Sequence, residues 1–411
     1  METKSRIPLP FTQLIQSRWV AVCVLVMLAM ALRLPGMSQV KRTGWDESAY
    51  AYFAQTWSRE GAAGIRRLLA DYPHDERLQK SPLPLRVAFI VAGSATCKLT
   101  GGYSADNLAW LSFCAGLAMV AAGTLFAWEM TASPVIAWLT GLLLCTSPLA
   151  AGLSLRATQD SFMGLVTVLA LWLFYRTSRR ASLVNCVLLG VCVLVGFLTK
   201  ETLAFIYPLM GCAMAWQHFV EKRKIAWLVV VPLAVAPVLY FIIAAMLCGG
   251  IGNYISTYEF YGTLQEKLGY TTHYEKGPWH AYFVDFLAIS PAVFFAAIAG
   301  LAALQPPARE NAGYGLCLVL FAGGCLVFGM LPVINIRLLL FADFFLRVAA
   351  AAPVYRLSRQ YPRLAVLAGV VFCGLLASDW RVYQHVFIEG RLYSPTHFLL
   401  FRAMGFYDVS V

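Results

Sequence analysis

Charge is what this sequence has least of. Asp, Glu, Lys and Arg make up 13% of its 411 residues, against about 25% in an ordinary soluble domain. With 60% of the residues hydrophobic, the chain has too little polar surface to cover a water-soluble globule, which leaves a polytopic membrane protein. No internal period of 20 to 50 residues runs through it, which excludes solenoids and propellers. No low-complexity segment is present, so no disordered linker is expected. Eleven cysteines are present, yet none forms a CxxC pair or a zinc-ligand spacing. Nine of them (Cys23, Cys114, Cys145, Cys186, Cys192, Cys212, Cys317, Cys325 and Cys373) lie inside apolar runs and read as small core residues.

What is there instead is a succession of long apolar stretches. Segments able to cross a bilayer fall at about 19–35, 107–127, 134–150, 160–175, 182–198, 203–219, 225–247, 281–304, 313–332, 338–354 and 364–378, so about eleven spans of an all-α membrane protein are expected. The first is read as a retained span, because no small-residue cleavage site follows it. The net charge of +11 would suggest nucleic acid in a soluble protein. Here the Lys and Arg residues cluster between apolar segments, so they orient the chain in a membrane and imply no nucleic acid.

The clusters "YRTSRR" (175–180), "EKRK" (221–224) and "YRLSRQYPR" (355–363), with the basic N-terminus, are assigned to the cytoplasm. The number of crossings between them must then be even. That holds if the shorter stretch "PLPLRVAFIVAGSATCKL" (82–99), which carries Arg86, does not cross. It is expected as a juxtamembrane or re-entrant helix in a first outer loop running over 36–105. A second long outer loop covers 249–282, and a short non-cytoplasmic tail covers 379–411, leaving one transmembrane domain over 1–378.

This topology puts the charged spots of the spans on one face. Ionisable groups at membrane depth are costly and are kept for ion paths, ligand charges or mutual pairing. The acidic residues are Asp46, Glu47 and Asp160; the basic ones are Lys80, Arg86, Arg156, Lys200 and Arg337. The cationic excess suits an anionic ligand: arginine forks hold phosphate oxygens in pairs, while a carboxylate beside them takes a proton from a hydroxyl nucleophile. Phosphate on a lipid tail, with a sugar as the transferred group, fits that combination. Plainer readings stand beside it: the Asp46–Glu47 pair as a solvated loop, and Arg156 with Asp160, four apart, as a helical salt bridge. The aromatics of "YISTYEFYG" suit either stacking on sugar faces or an interfacial belt.

A series of motifs, in order over roughly 15–360, resembles the GT-C membrane glycosyltransferases of the protein O-mannosyltransferase and aminoarabinose transferase type, which use dolichyl- or undecaprenyl-phosphate sugars. "WDESAYAYFAQTWSREG" resembles the first-loop D-E-x-x-Y segment, and "LQKSPLPLRVAFIVAG" the K-P-P-L segment. "SLRATQDSFMGLVTVLALWLFYR" resembles the R-x-x-x-x-D segment. "GFLTKETLAFIYPLM" is similar to the stretch G-L-x-x-L-T-K-G-x-x-x-x-x-x-P. "EKGPWHAYFVDFLAISP" resembles the loop entering a late span, and "NIRLLLFADFFLRVAAA" the R-Y-L-L-P segment, without its Tyr and Pro.

The resemblance implies a GT-C fold with juxtamembrane helices in the first outer loop. It implies Asp46 as catalytic base and Asp160 as a second acidic residue near the acceptor, with Glu47 counted among the site carboxylates and expected to shape the loop. Tyr50 and Lys80 fall near the donor phosphate; Arg86, Arg156, Lys200 and Arg337 are the further cations for phosphate or lipid. Gln79 stands where aminoarabinose transferases have a metal-holding Glu, and Ala49 where they have Arg. No cofactor is fixed by these residues; a divalent metal is the one candidate, with His273 and His280 as its weak ligands against a reading as loop histidines.

The expected partners are a polyprenyl-phosphate-linked sugar donor, a lipid, glycan or protein acceptor, and membrane lipids. The expected activity is inverting transfer to an acceptor hydroxyl, by a hexosyl- or pentosyltransferase. The alternative is a transporter or flippase of an anionic, polyprenyl-linked lipid without chemistry. Short termini and the lack of a retention signal point to a bacterial inner membrane, with the site on its periplasmic face.

Overall fold

The computed structural model describes residues 16–180, 182–267, 277–302, 309–331 and 333–391. Among them every regular element is helical. Helix α1 (Arg18–Gln39) leads into four helices of the first expected loop: α2 (Trp45–Glu60), α3 (Ala62–Asp71), α4 (Glu76–Gln79) and α5 (Val87–Leu99). There follow α6 (Ala105–Thr131), α7 (Pro134–Thr146), α8 (Pro148–Ser154), α9 (Asp160–Arg179) and α10 (Leu183–Thr199). A 3-10 turn (Glu201–Phe205) separates α10 from α11 (Ile206–Phe219), and α12 (Val230–Leu247) and α13 (Ile251–Lys267) come next. The remainder is α14 (Ala281–Ile289), α15 (Pro291–Ala302), α16 (Arg309–Gly329), a 3-10 turn (Ile336–Leu339), α17 (Leu340–Gln360) and α18 (Ala365–Tyr383).

A helix stands at each of the eleven expected spans. Six helical runs are long and apolar enough to cross a membrane: Arg18–Gln39, Ala105–Thr131, Asp160–Arg179, Trp227–Leu247, Ile336–Gln360 and Pro362–Glu389. Two bent pairs, α7 with α8 and α14 with α15, raise the count to eight if each is one span. The other three positions are held by α10, α11 and α16, whose described residues fall short of that length or apolarity. The 17 residues of α10 still rise about 26 Å, close to the roughly 30 Å of a hydrocarbon core. Helix α5, with 13 residues, rises only about 20 Å and packs against α2, α6 and α10. The chain is thus a multi-pass membrane protein, in which α18 continues past residue 378 to Tyr383.

Both bends occur at Ser-Pro dipeptides. At Ser147–Pro148 the axis turns by 53°, and at Ser290–Pro291 by 114°. Proline has no N–H for the preceding turn and fits the first position of a new helix. Ser147 caps the new helix by accepting from Ala150 N at 3.0 Å.

Both serines also reach one buried charge network. Ser147 Oγ donates to Asp343 Oδ2 at 2.7 Å, and Arg347 Nη2 donates to Ser290 Oγ at 2.9 Å. Arg347 also donates to both oxygens of Asp343, at 2.9 and 3.1 Å, and pairs with Asp379 on α18. Arg33 of α1, wholly buried, donates to Leu144 O at 2.6 Å just before the first bend. An unpaired charge at such depth is far costlier than a paired one. The network therefore fixes where the two bends, α17 and α18 meet, and Arg33 ties α1 to the helix that leads into the first bend.

Candidate active site

Helix α2 begins at Gly44, and the third residue of its first turn, Glu47, accepts from Gly44 N at 3.0 Å. The other carboxylate oxygen of Glu47, Oε1, accepts from Ala157 N at 3.1 Å, while Arg156 Nη1 lies 3.8 Å from Oε2, the oxygen bonded to Gly44 N. Glu47 thus caps its own helix start and ties it to the loop before α9. Asp46 in the first turn of α2 is thereby set beside Asp160, the first residue of α9. Both carboxylates occupy helix N-termini, where the backbone dipole favours negative charge.

Arg337 links the two. Its Nη1 lies 3.9 Å from Asp46 Oδ2 and 3.8 Å from Asp160 Oδ2, while Lys200 Nζ lies 3.6 Å from Asp160 Oδ1. Arg337 is aimed by Asn335, whose side-chain oxygen accepts from Arg337 N at 3.1 Å and Nε at 3.2 Å. Asn335 N in turn donates to Tyr282 OH on α14 at 2.9 Å. The Asp160 side chain is 5% exposed and that of Asp46 is 36% exposed, so Asp46 is the carboxylate an incoming group can reach.

Beside this cluster Arg86, at the start of α5, donates to Tyr50 OH at 2.5 Å. With its amide oriented to satisfy both ends, Gln159 donates to Tyr50 OH at 2.6 Å and to Thr199 O at 3.1 Å, and accepts from Arg86 Nη1 at 2.8 Å. The Tyr50 hydroxyl then accepts twice and keeps its own proton to donate. Burial pushes the Tyr50 phenol above its ordinary value, with Arg86 opposing. Burial likewise raises the Glu47 carboxyl, against the pull of Arg156 and the two backbone N–H donors.

The structure thus brings Asp46, Asp160, Lys200 and Arg337 into one cluster, with Arg86 and Tyr50 alongside. Arg156 and Glu47 lie next to it but face the loop: Arg156 donates to Lys41 O at 2.9 Å and Arg391 O at 3.3 Å. Lys80 is exposed at the end of α4 and joins no ion pair among the described residues. His280 is exposed at the start of α14, beside Trp279, and His273 lies outside the described residues. Among the described residues no group of three or more His, Cys, Asp and Glu side chains gathers to hold a metal.

Sequence reasoning did not single out Gln159, Thr199 and Asn335. Each adjoins a charge that it did select: Gln159 precedes Asp160, Thr199 precedes Lys200, and Asn335 opens "NIR". A buried charge needs its remaining hydrogen bonds met, and that need was the available signal.

With this geometry in place, the likenesses to known proteins become informative. Residues 84–241 match the family described as dolichyl-phosphate-mannose-protein mannosyltransferase. ArnT from Cupriavidus metallidurans in the apo state shares 18% identity at a TM-score of 0.54, over 87% of this chain and 64% of that one. The same protein bound to undecaprenyl phosphate gives 17% and 0.54, over 87% and 64%. The Archaeoglobus fulgidus oligosaccharyltransferase in the apo form shares 12% identity at a TM-score of 0.61, over 94% of this chain and 57% of that one. The chain therefore spans less than two thirds of the length of these structures. No curated protein sequence matches. The fold is the GT-C membrane glycosyltransferase fold that the motif resemblance implied.

Proposed function

We propose that this chain is an integral-membrane glycosyltransferase that moves a sugar from a polyprenyl-phosphate donor to an acceptor hydroxyl. The observation that carries the reading is the bridge of Asp46 and Asp160 by one Arg337 nitrogen, with Lys200 on the far oxygen of Asp160. An open carboxylate beside clustered cations is what transfer with a phosphate leaving group needs. The acceptor oxygen attacks the anomeric carbon while its proton passes to Asp46, and the bond from that carbon to the phosphate oxygen breaks. Attack opposite the leaving group inverts the anomeric centre.

Charge develops on the departing polyprenyl phosphate, where Arg337, Lys200 and Arg86 stabilise it and Tyr50 donates its free proton. Asp160 keeps Lys200 and Arg337 in place and lies near the acceptor. Lys80, exposed on the first loop, approaches the phosphate from the loop side, while Glu47 and Arg156 hold the loop. ArnT, a protein of the same fold, has been solved with undecaprenyl phosphate bound, which supports a donor of that class. The positive-inside assignment of the basic clusters supports a site on the non-cytoplasmic face, which is the periplasmic face in a bacterial inner membrane.

The test compares membranes carrying wild type, Asp46→Asn or Asp160→Asn at matched expression, with lipid and protein glycans read by mass spectrometry. Losing the general base should lower transfer by about 10²- to 10⁴-fold. The mass missing from the Asp46→Asn sample names the sugar. A clear wild-type product that persists unchanged in Asp46→Asn refutes the assignment and favours a lipid transporter.

A further inference from the structure

Glu201 has no part in the cluster above, yet it follows Lys200 directly and opens the 3-10 turn between α10 and α11. It stands where the stretch that "GFLTKETLAFIYPLM" resembles has glycine. Three tyrosines on two helices gather near the end of α10, to which they are joined by the stacking of Phe197 on Tyr240. Tyr240 of α12 and Tyr258 of α13 hold their hydroxyls 2.8 Å apart, and Tyr254 lies against Tyr258 with ring centroids at 4.9 Å. Glu201 is within electrostatic reach of all three, and of Arg86 and Lys200.

The spacing of Tyr254, Tyr258 and Tyr261 by four and then three residues places them on one face of α13. The far end of that face meets Tyr72, whose ring centroid is 6.5 Å from that of Tyr261. Behind it Phe197 stacks on Tyr240 at 5.5 Å. The result is a wall in which the partly exposed phenols of Tyr254, Tyr258 and Tyr261 adjoin the buried Tyr240 and Tyr72, with one carboxylate near them and near the cations assigned to phosphate. A carboxylate and phenol hydroxyls hydrogen-bond sugar hydroxyls, and aromatic faces pack on the apolar side of a pyranose or furanose ring. A negative charge there works against binding phosphate alone, so its presence calls for a partner with hydrogens to donate.

Resting on the transferase reading, we infer that Glu201, Tyr254 and Tyr258 form the subsite for the glycosyl ring of the donor, with Glu201 accepting from its hydroxyl groups. The ring is one bond from the phosphate, and the wall is one residue from Lys200. Glu201 is then a specificity-determining residue that separates a loaded donor from the bare lipid phosphate left after transfer.

The experiment measures binding of bare polyprenyl phosphate, and of polyprenyl phosphate carrying a single hexose, aminohexose or pentose, to the full chain in lipid nanodiscs. Wild type should prefer one glycosylated lipid over the bare one. Glu201→Gln should cut that preference by about tenfold or more, and Tyr258→Phe by several-fold. Three results overturn the inference. One is wild type that gains nothing from any sugar, and another is variants that keep the wild-type preference. The third is Glu201→Gln tightening bare and glycosylated lipids equally, which would make Glu201 only a counter-charge to Lys200 and Arg86. Failure of wild type to bind any polyprenyl phosphate is a separate outcome that sinks the transferase reading and this subsite with it.

Discussion

Removing Arg347 tests how the bundle is held beneath the site. Its side chain is fully buried between Asp343 at 1% exposure and Asp379 at 0%. In Arg347→Met the apolar volume is roughly kept, but two buried carboxylates lose their counter-charge, and Ser290 loses the donor at the sharper helix bend. Breaking a buried pair costs about 3–5 kcal/mol, because the remaining charge is uncompensated. At roughly 2.1 cal/mol/K of unfolding entropy per residue, that loss lowers the thermal midpoint of a chain of this length by about 4–6 °C.

The matching variant is Arg347→Met with Asp343→Asn and Asp379→Asn, which removes all three charges and leaves Ser147 an acceptor. Neutral replacement of a buried ion network is often tolerated, so this triple variant should return to within about 2 °C of wild type. The assay is thermal unfolding in nanodiscs, followed by tryptophan fluorescence and by recovery of the monodisperse peak. A single variant as stable as wild type refutes the reasoning, because the carboxylates would then not depend on Arg347. A triple variant as weak as the single one refutes it differently, by showing that shape and not charge is lost.

Two further predictions concern the site. Tyr50→Phe strips the acceptor from Arg86 and from Gln159, and should lower transfer about 10- to 100-fold, from one lost hydrogen bond to a charged group and one orphaned donor. A steady-state rate within twofold of wild type would remove Tyr50 from the phosphate site. Glu47→Gln replaces two acceptor oxygens by one, so either Gly44 N or Ala157 N faces an amide N–H. A loss of about 1–3 kcal/mol of stability is expected. Because burial raises the folded-state carboxyl, wild-type stability falls as pH rises from the ordinary carboxylate value through the raised one. The Gln variant should lack that fall, and an unchanged pH profile of the thermal midpoint contradicts it.

Much of the architecture was legible in the primary structure. Apolar stretches of bilayer length can only be helices, because lipid offers no partners for a free backbone. The short, arginine-bearing stretch 82–99 became the 13-residue α5, whereas the helix bends at Ser147–Pro148 and Ser290–Pro291, inside stretches read as single spans, came to light only in the fold. The motif series carried the GT-C fold and the choice of charged residues. Strict count by length and apolarity gives fewer spans than eleven, because α10 has 17 residues and α11 only 14.

What the sequence by itself determined was the class of protein and the charges at the outer ends of the spans, since both follow from composition, from the basic clusters and from the penalty on ions in hydrocarbon; Arg33, Asp343, Arg347 and Asp379 were not among them. Which charges meet was decided by the tertiary structure alone. Asp46, Asp160, Lys200 and Arg337 are distant in the chain and share a site only after four separate helix starts converge. Arg156, chosen on the same grounds, turned toward backbone carbonyls and Glu47. The Arg347 network, hidden in ordinary apolar helices, was likewise settled by packing. A charge buried in a helix declares its cost in the sequence, but its partner is set by which helices the fold brings against it.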